Sequence, residues 1–347
     1  MNTQKIKKII DHLPKFMVKC ITFCYLIYVF IVNEEYRNDV LLPIKLRERK
    51  TSFGKENKDK TFYIIRRSTK YQEGHYSILS FFLGHLMIAE KRGLIPVIDM
   101  KNYYFDLWQA EIDRGKENAW EYFYNQPSTY SLNDIKDSKN IILCNGIQDK
   151  LFRQPNFSFS KDEIQMWNRI YMKYIKLNDY SNKFLLQKIQ ELGVEEHRVL
   201  AVSLRRGIEW GAIVNCSLFR GYPKHLPINE AICKVKEYMR EWNYDFIFLV
   251  IDDQEGLELF KQTFKDKLLF LEKDRFEFFR DQVAIPEKEM PRILKSKQET
   301  NIFERELNFL TEVNIMAKCS SIICARTTAN VFAFIINGNK FENIQII

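Results

Sequence analysis

Three short polar clusters carry the chemistry this chain could do. Arg205 and Arg206 close the apolar run Val199-Leu-Ala-Val-Ser-Leu204. Asp252 and Asp253 close a second run, Phe246-Ile-Phe-Leu-Val-Ile251, and Arg326, Thr327 and Thr328 follow a third, Ser321-Ile-Ile-Cys-Ala325. A guanidinium stays charged at any cellular pH and grips phosphate oxygens in pairs. Threonine hydroxyls and the free N–H groups at the start of a helix hold the same oxygens. A carboxylate accepts the paired N–H donors of a guanine ring. If the three runs are parallel strands of one sheet, their carboxyl ends share a rim, where open α/β sheets bind ligands. Together the clusters then form a nucleotide-diphosphate site. Each also has a plainer explanation: a solvated basic turn for the arginines, and helix caps for the aspartates and threonines.

The elements that must position these residues follow from the pattern of apolar residues. In the C-terminal half, 196–347, strands are expected at Val199–Leu204, Phe246–Ile251, Leu268–Leu271 and Ser321–Ala325. Helices are expected at Ile228–Trp242, Gly256–Phe264 and Leu307–Cys319, with a last one opening after Arg326 and running to about Ile336. Strands alternating with helices imply a doubly wound sheet. The N-terminal half, 41–195, opens with a linker over 41–60 and a strand at Thr61–Ile65. A turn-like loop carrying Gly74 and His75, a helix at Ile78–Lys91 and a strand at Leu94–Asp99 complete a crossover unit. From 100 to 195 the chain is aromatic and mainly helical, with helices expected at Trp167–Leu177 and Lys183–Leu192.

The chain has 347 residues, enough for two such domains, with 46% hydrophobic and 28% charged residues. Its formal net charge of +8 is spread along the chain and mixed with acids, without a basic arm or zinc-finger spacing, so no nucleic-acid partner is expected. The seven cysteines are odd in number and lack any Cys-x-x-Cys pair; they read as reduced residues of a cytoplasmic protein, with no metal site. Neither a P-loop nor a Gly-x-Gly-x-x-Gly fingerprint occurs. Residues 1–40 are basic and then apolar. The run 17–32 is shorter than the roughly 20 residues that span a bilayer, and Lys5, Lys7, Lys8, Lys15 and Lys19 precede or enter it. An N-terminal apolar helix is expected here, with peripheral contact of residues 1–33 with the inner face of the cytoplasmic membrane; a marginal membrane anchor and a helix packed on the protein are the alternatives.

The order of a basic strand end, an acidic strand end and a hydroxyl-rich strand end resembles the fucosyltransferase superfamily. Val202-Ser-Leu-Arg-Arg-Gly207 is similar to its His-x-Arg-Arg-Gly-Asp motif, and Phe248-Leu-Val-Ile-Asp-Asp-Gln254 to its Phe-x-Ala-Thr-Asp-Asp element. Ala317-Lys-Cys-Ser-Ser-Ile-Ile-Cys-Ala-Arg-Thr-Thr-Ala329 resembles the third motif, and Gly93 to Asp99 is like a stretch near the start of bacterial members. Ser203 stands where a histidine is common and Ile208 where an aspartate is common.

The resemblance implies an α/β fold of two Rossmann-like domains facing a cleft (the GT-B arrangement). It implies a GDP-fucose donor without further cofactor, and a glycan acceptor on the cell surface. By carry-over Arg205 binds the β-phosphate with support from Arg206, Asp252 or Asp253 reads guanine, and Arg326, Thr327 and Thr328 hold phosphate. Gly74 and His75 belong to the first-domain loop on the donor, although a loop histidine is more simply a surface residue. Displacement at the anomeric carbon inverts its configuration, with Arg205 stabilising the departing GDP and Glu209 or Asp99 as candidate base. Transfer from another nucleotide sugar, or a degenerate protein that binds without turnover, are the competing possibilities.

Overall fold

The computed structural model describes residues 24, 27, 28, 31, 32, 47–66, 74–101, 117–144, 160–204, 227–275 and 302–347. Two sheets organise them. The first is built from β1 (Arg49–Thr51), β2 (Phe62–Ile65), β3 (Ile95–Ile98) and β4 (Ile141–Leu143), in the order β1-β4-β2-β3. Strands β2, β3 and β4 are parallel, and β1 lies antiparallel on β4. Strands β2 and β4 are buried along their whole length, as expected of parallel strands covered on both faces. Residues 41–60 therefore do not act wholly as a linker: Arg49–Thr51 covers an edge of the sheet, and Glu56 bridges to Ser138.

The second sheet is fully parallel, in the order β7-β6-β5-β8-β9, from β5 (Val199–Leu204), β6 (Phe246–Ile251), β7 (Leu268–Leu269), β8 (Ser321–Cys324) and β9 (Ile344–Ile346). Strand β5 is central. The chain first builds outward through β6 and β7, then returns to β5's other side for β8 and β9. The direction of winding thus reverses between β5 and β8.

Helices fill the space between and around the sheets: α1 (His75–Lys91), α2 (Lys161–Tyr174), α3 (Asp179–Leu192), α4 (Ile228–Glu241), α5 (Gln254–Phe264), α6 (Ile302–Met316) and α7 (Thr328–Asn337). Their ends are written in local sequence. Helix α2 starts six residues before the apolar stripe at Trp167 because Ser160 and Glu163 form a reciprocal capping box, Ser160 N–H to Glu163 Oε2 at 2.7 Å and Glu163 N–H to Ser160 Oγ at 3.2 Å. Helix α3 stops at Gly193, whose φ of 60° is a left-handed conformation natural to glycine.

Helix α1 is buried on nearly every face: it contacts β2 and β3 on one side and helices α2 and α7 on another. Helix α6 packs on α3 and α7. One continuous hydrophobic core consequently runs from Tyr63 and Ile98, through Leu83, Ile170 and Phe332, to Ala201 and Ile322. A second cluster lies on the opposite face of β5 and β6, under α4 and α5.

The N-terminal apolar run falls largely outside the described residues. Of its length, Cys24, Ile27, Tyr28, Ile31 and Val32 are helical and exposed. Among the described residues no helix is long and apolar enough to cross a membrane.

Candidate functional site

The parallel register of the second sheet sets its carboxyl rim. Leu204 lies opposite Ile251, Ser203 opposite Cys324, and Ala325 N–H extends the ladder to Ser203 O at 3.1 Å. The end of β5, the Asp252-Asp253 pair and the Arg326-Thr327-Thr328 cluster therefore share one edge. Arg205, Arg206 and Glu209 themselves lie outside the described residues.

The two halves of the rim differ. Beyond β6, Asp253 is fully buried and its Oδ1 accepts Gly256 N–H at 2.7 Å, capping α5. Asp252 is half-buried in the turn. Arg275, which the sequence did not single out, reaches this corner from the segment after β7. Its guanidinium donates to the carbonyls of Ile251, Lys273 and Leu271 at 3.3, 3.1 and 2.7 Å. Burial lowers its pKa, opposed by the nearby carboxylates of Glu312, Glu272 and Asp253. Glu312, buried in α6, receives Lys273 Nζ at 2.6 Å, yet burial still raises its pKa above the usual carboxylate range.

Beyond β8 the described residues are less buried. Arg326 is exposed, and Thr327 and Thr328 are half-buried. Thr327 is the N-cap of α7, its Oγ1 accepting Asn330 N–H at 3.2 Å. Asn330 is buried, donates Nδ2–H to Ala325 O at 2.8 Å and so fixes the strand-to-helix turn. The first turn of a helix leaves backbone N–H groups without intrahelical partners. At Thr328 and Ala329 these follow the end of β8, the strand at which the winding reverses.

The first sheet contributes Gly74, His75 and Asp99. Gly74 is the exposed residue before α1. His75 is not a surface residue: it is 6% exposed, its Nε2 is hydrogen-bonded to Tyr124 OH at 2.6 Å, and its Nδ1 lies 3.6 Å from Glu306 Oε2. The apolar cavity beside it, about 20 Å³ and walled by Leu79, Phe82 and Trp120, is too small for a nucleotide. His75 is an internal strut between α1, Tyr124 and Glu306.

Asp99 leaves the end of β3, its N–H bonded to Ile65 O at 2.9 Å and its Oδ1 accepting Lys101 N–H at 3.0 Å. Burial raises its pKa; the Lys101 N–H and the charges of Arg66 and Lys101 pull the other way.

The strut aligns the two sheets. Helix α1 follows β2, so its first turn stands at the carboxyl rim of the first sheet. Helix α6 precedes the parallel strand β8, so its first turns stand at the carboxyl rim of the second. His75 meets Glu306 there, and Phe123 stacks on Phe303 with centroids 5.0 Å apart and planes 11° apart. Both rims thus lie on the same side of the shared core.

Among the described residues no group of three histidines, cysteines or carboxylates could hold a metal ion. Protein-family models and curated proteins give no match to the chain. Solved structures similar to it include NodZ alpha-1,6-fucosyltransferase soaked with GDP-fucose, 13% identical with a TM-score of 0.48 over 80% of this chain and 93% of that one. They also include fucosyltransferase NodZ from Bradyrhizobium, 13% identical with a TM-score of 0.43 over 81% and 92%. POFUT1 in complex with GDP is 10% identical with a TM-score of 0.45 over 83% and 99%.

Proposed function

We propose that this chain is a glycosyltransferase that moves fucose from GDP-fucose to a hydroxyl of a cell-surface glycan or its precursor, with inversion and without a metal. One observation carries the donor site: Arg326, Thr327, Thr328 and the first turn of α7 stand at the winding reversal of a fully parallel sheet. That crevice is where such sheets take up nucleotides, and a helix start there favours phosphate.

In this account Arg205 and Arg206, which follow β5 directly in sequence, complete the phosphate site. Arg205 holds the leaving diphosphate more strongly as charge develops on it, which lowers the barrier and not only the binding energy. Asp252 or Asp253, at the end of β6, reads the guanine edge. The acceptor hydroxyl lies toward the first sheet, where Asp99, or Glu209 from the segment after β5, takes its proton. The inversion follows from single displacement at the anomeric carbon. The basic, apolar N-terminus keeps the enzyme on the inner face of a membrane, near a lipid-linked acceptor.

A thermal-shift panel of GDP, GDP-fucose, GDP-mannose, UDP and UDP-glucose tests the donor. A ligand at about 100 times its dissociation constant stabilises by roughly 2.7 kcal/mol. GDP and GDP-fucose are expected to raise Tm and UDP to leave it unchanged; a UDP shift without a GDP shift assigns another donor. Transfer is expected to persist in EDTA, since the guanidinium of Arg205 neutralises the leaving group. Strict metal dependence contradicts that role.

A further inference from the structure

A second cavity, of about 280 Å³, opens beside the end of β3. Its size is near the lower end of the roughly 300–1,000 Å³ usual for small-ligand pockets. Lys101, Glu117, Asn118, Glu121, Tyr122 and Asn133 supply most of its polar lining. Its chemistry differs from that of the second sheet's rim: two carboxylates face one ammonium, so a phosphate or nucleotide is repelled. Several groups remain available to a ligand. Glu121 uses Oε1 to accept Gln126 Nε2–H at 2.8 Å and Asn118 Nδ2–H at 3.2 Å. Among the described residues Glu121 Oε2, Lys101 Nζ and the Asn133 side-chain amide have no hydrogen-bond partner. Acceptors, an amide, an ammonium and the apolar side chain of Leu132 match a ligand with many hydroxyls and an apolar face, which is a neutral sugar ring.

The same residues fix the candidate base. Asn118 is buried; its Oδ1 accepts Met100 N–H at 2.9 Å and its Nδ2 donates to Ile98 O at 2.8 Å. Gln126 brackets Ile98 from the other side, accepting its N–H at 2.8 Å and donating to its carbonyl at 2.9 Å. Asp99 is thus held between two clamped neighbours, with its carboxylate on the N–H of Lys101, a wall of the cavity.

We infer that this cavity is a binding subsite for a neutral acceptor sugar, seated beside Asp99. The inference deepens the proposed glycosyltransferase function but has its own test. Saturation-transfer NMR on the full chain, with a panel of neutral methyl glycosides and methyl glucuronide as the anionic control, reads the subsite directly. At least one neutral glycoside is expected to receive saturation with GDP present or absent, and the glucuronide none. Asn133→Trp, at an exposed position, fills the cavity and is expected to abolish the signal. Lys101→Ala, which removes one donor, is expected to weaken binding about tenfold. Absence of any neutral glycoside signal, retention of it in Asn133→Trp, or its displacement by GDP overturns the inference. Glycoside binding in a protein that ignores GDP retains the subsite and removes only the donor assignment.

Discussion

At the scale of single residues, the rim of the second sheet separates groups that hold the fold from groups free to hold a ligand. Asp253 is of the first kind. Replacing it with alanine leaves Gly256 N–H unsatisfied and is expected to cost about 1 kcal/mol, visible as a lower urea midpoint, with Asp253→Asn recovering most of it. Equal loss in both variants would mean that its charge, not its cap, matters. Lys273 has a similar structural duty. Lys273→Met strands the carboxylate of Glu312 and is expected to destabilise by about 3 kcal/mol near neutral pH. The sign of the pH dependence follows from the raised pKa of Glu312. Its favourable contribution is complete below 4.5, its ordinary value, and is lost as pH rises through the higher folded value. Urea melts of Lys273→Met are therefore expected to show stability falling with rising pH more steeply than in the unmodified protein; parallel profiles would contradict the pairing.

At the scale of elements, the best-defined strands were also the most legible. Val199–Leu204 and Phe246–Ile251 are found at the limits their apolar runs suggest, because a parallel strand buried on both faces needs an unbroken apolar stretch. The amphipathic stripe of α4 is found to within one residue. Strands β1, β4 and β9 have three residues each, too few for a period to show, and they form only because a neighbour supplies the ladder. The site divides in the same way. Thr327 and Asp253 were legible as caps from their place before a helix. Arg275 was not, because its carbonyl partners are gathered by the turn after β7. The His75–Glu306 contact joins residues far apart in sequence, and no local pattern announces it. Helices α1 and α2 are tied at Glu90, which receives Arg169 at 2.6 Å and Lys173 at 2.7 Å; the two cations hold its carboxyl at a pKa of about 2. Both cations are largely exposed, so Glu90→Gln is expected to cost no more than about 1 kcal/mol. That contribution is full above 4.5 and lost as pH falls toward 2. Acid titration of the variant should show an unchanged midpoint below pH 2, and a constant deficit at all pH values would point to packing in place of charge.

At the scale of the whole molecule, two separate sheets would ordinarily suggest two independently melting units. Here α1, α2, α6 and α7 knit them into one hydrophobic core. Calorimetry is expected to show one cooperative transition, and two resolved transitions would mean that the shared helices belong energetically to one sheet only. The same shared layer sets the carboxyl rims on one side, so the end of β8 and the Asp99 turn face the same side of the core, as the proposed transfer requires. The most direct measurement is isothermal titration of GDP into the full chain and into Thr328→Glu, which adds a negative charge at the start of α7. Binding in the unmodified protein and its loss in a folded Thr328→Glu is the predicted result; equal affinity in both, or no GDP binding at all, contradicts a nucleotide site at the winding reversal.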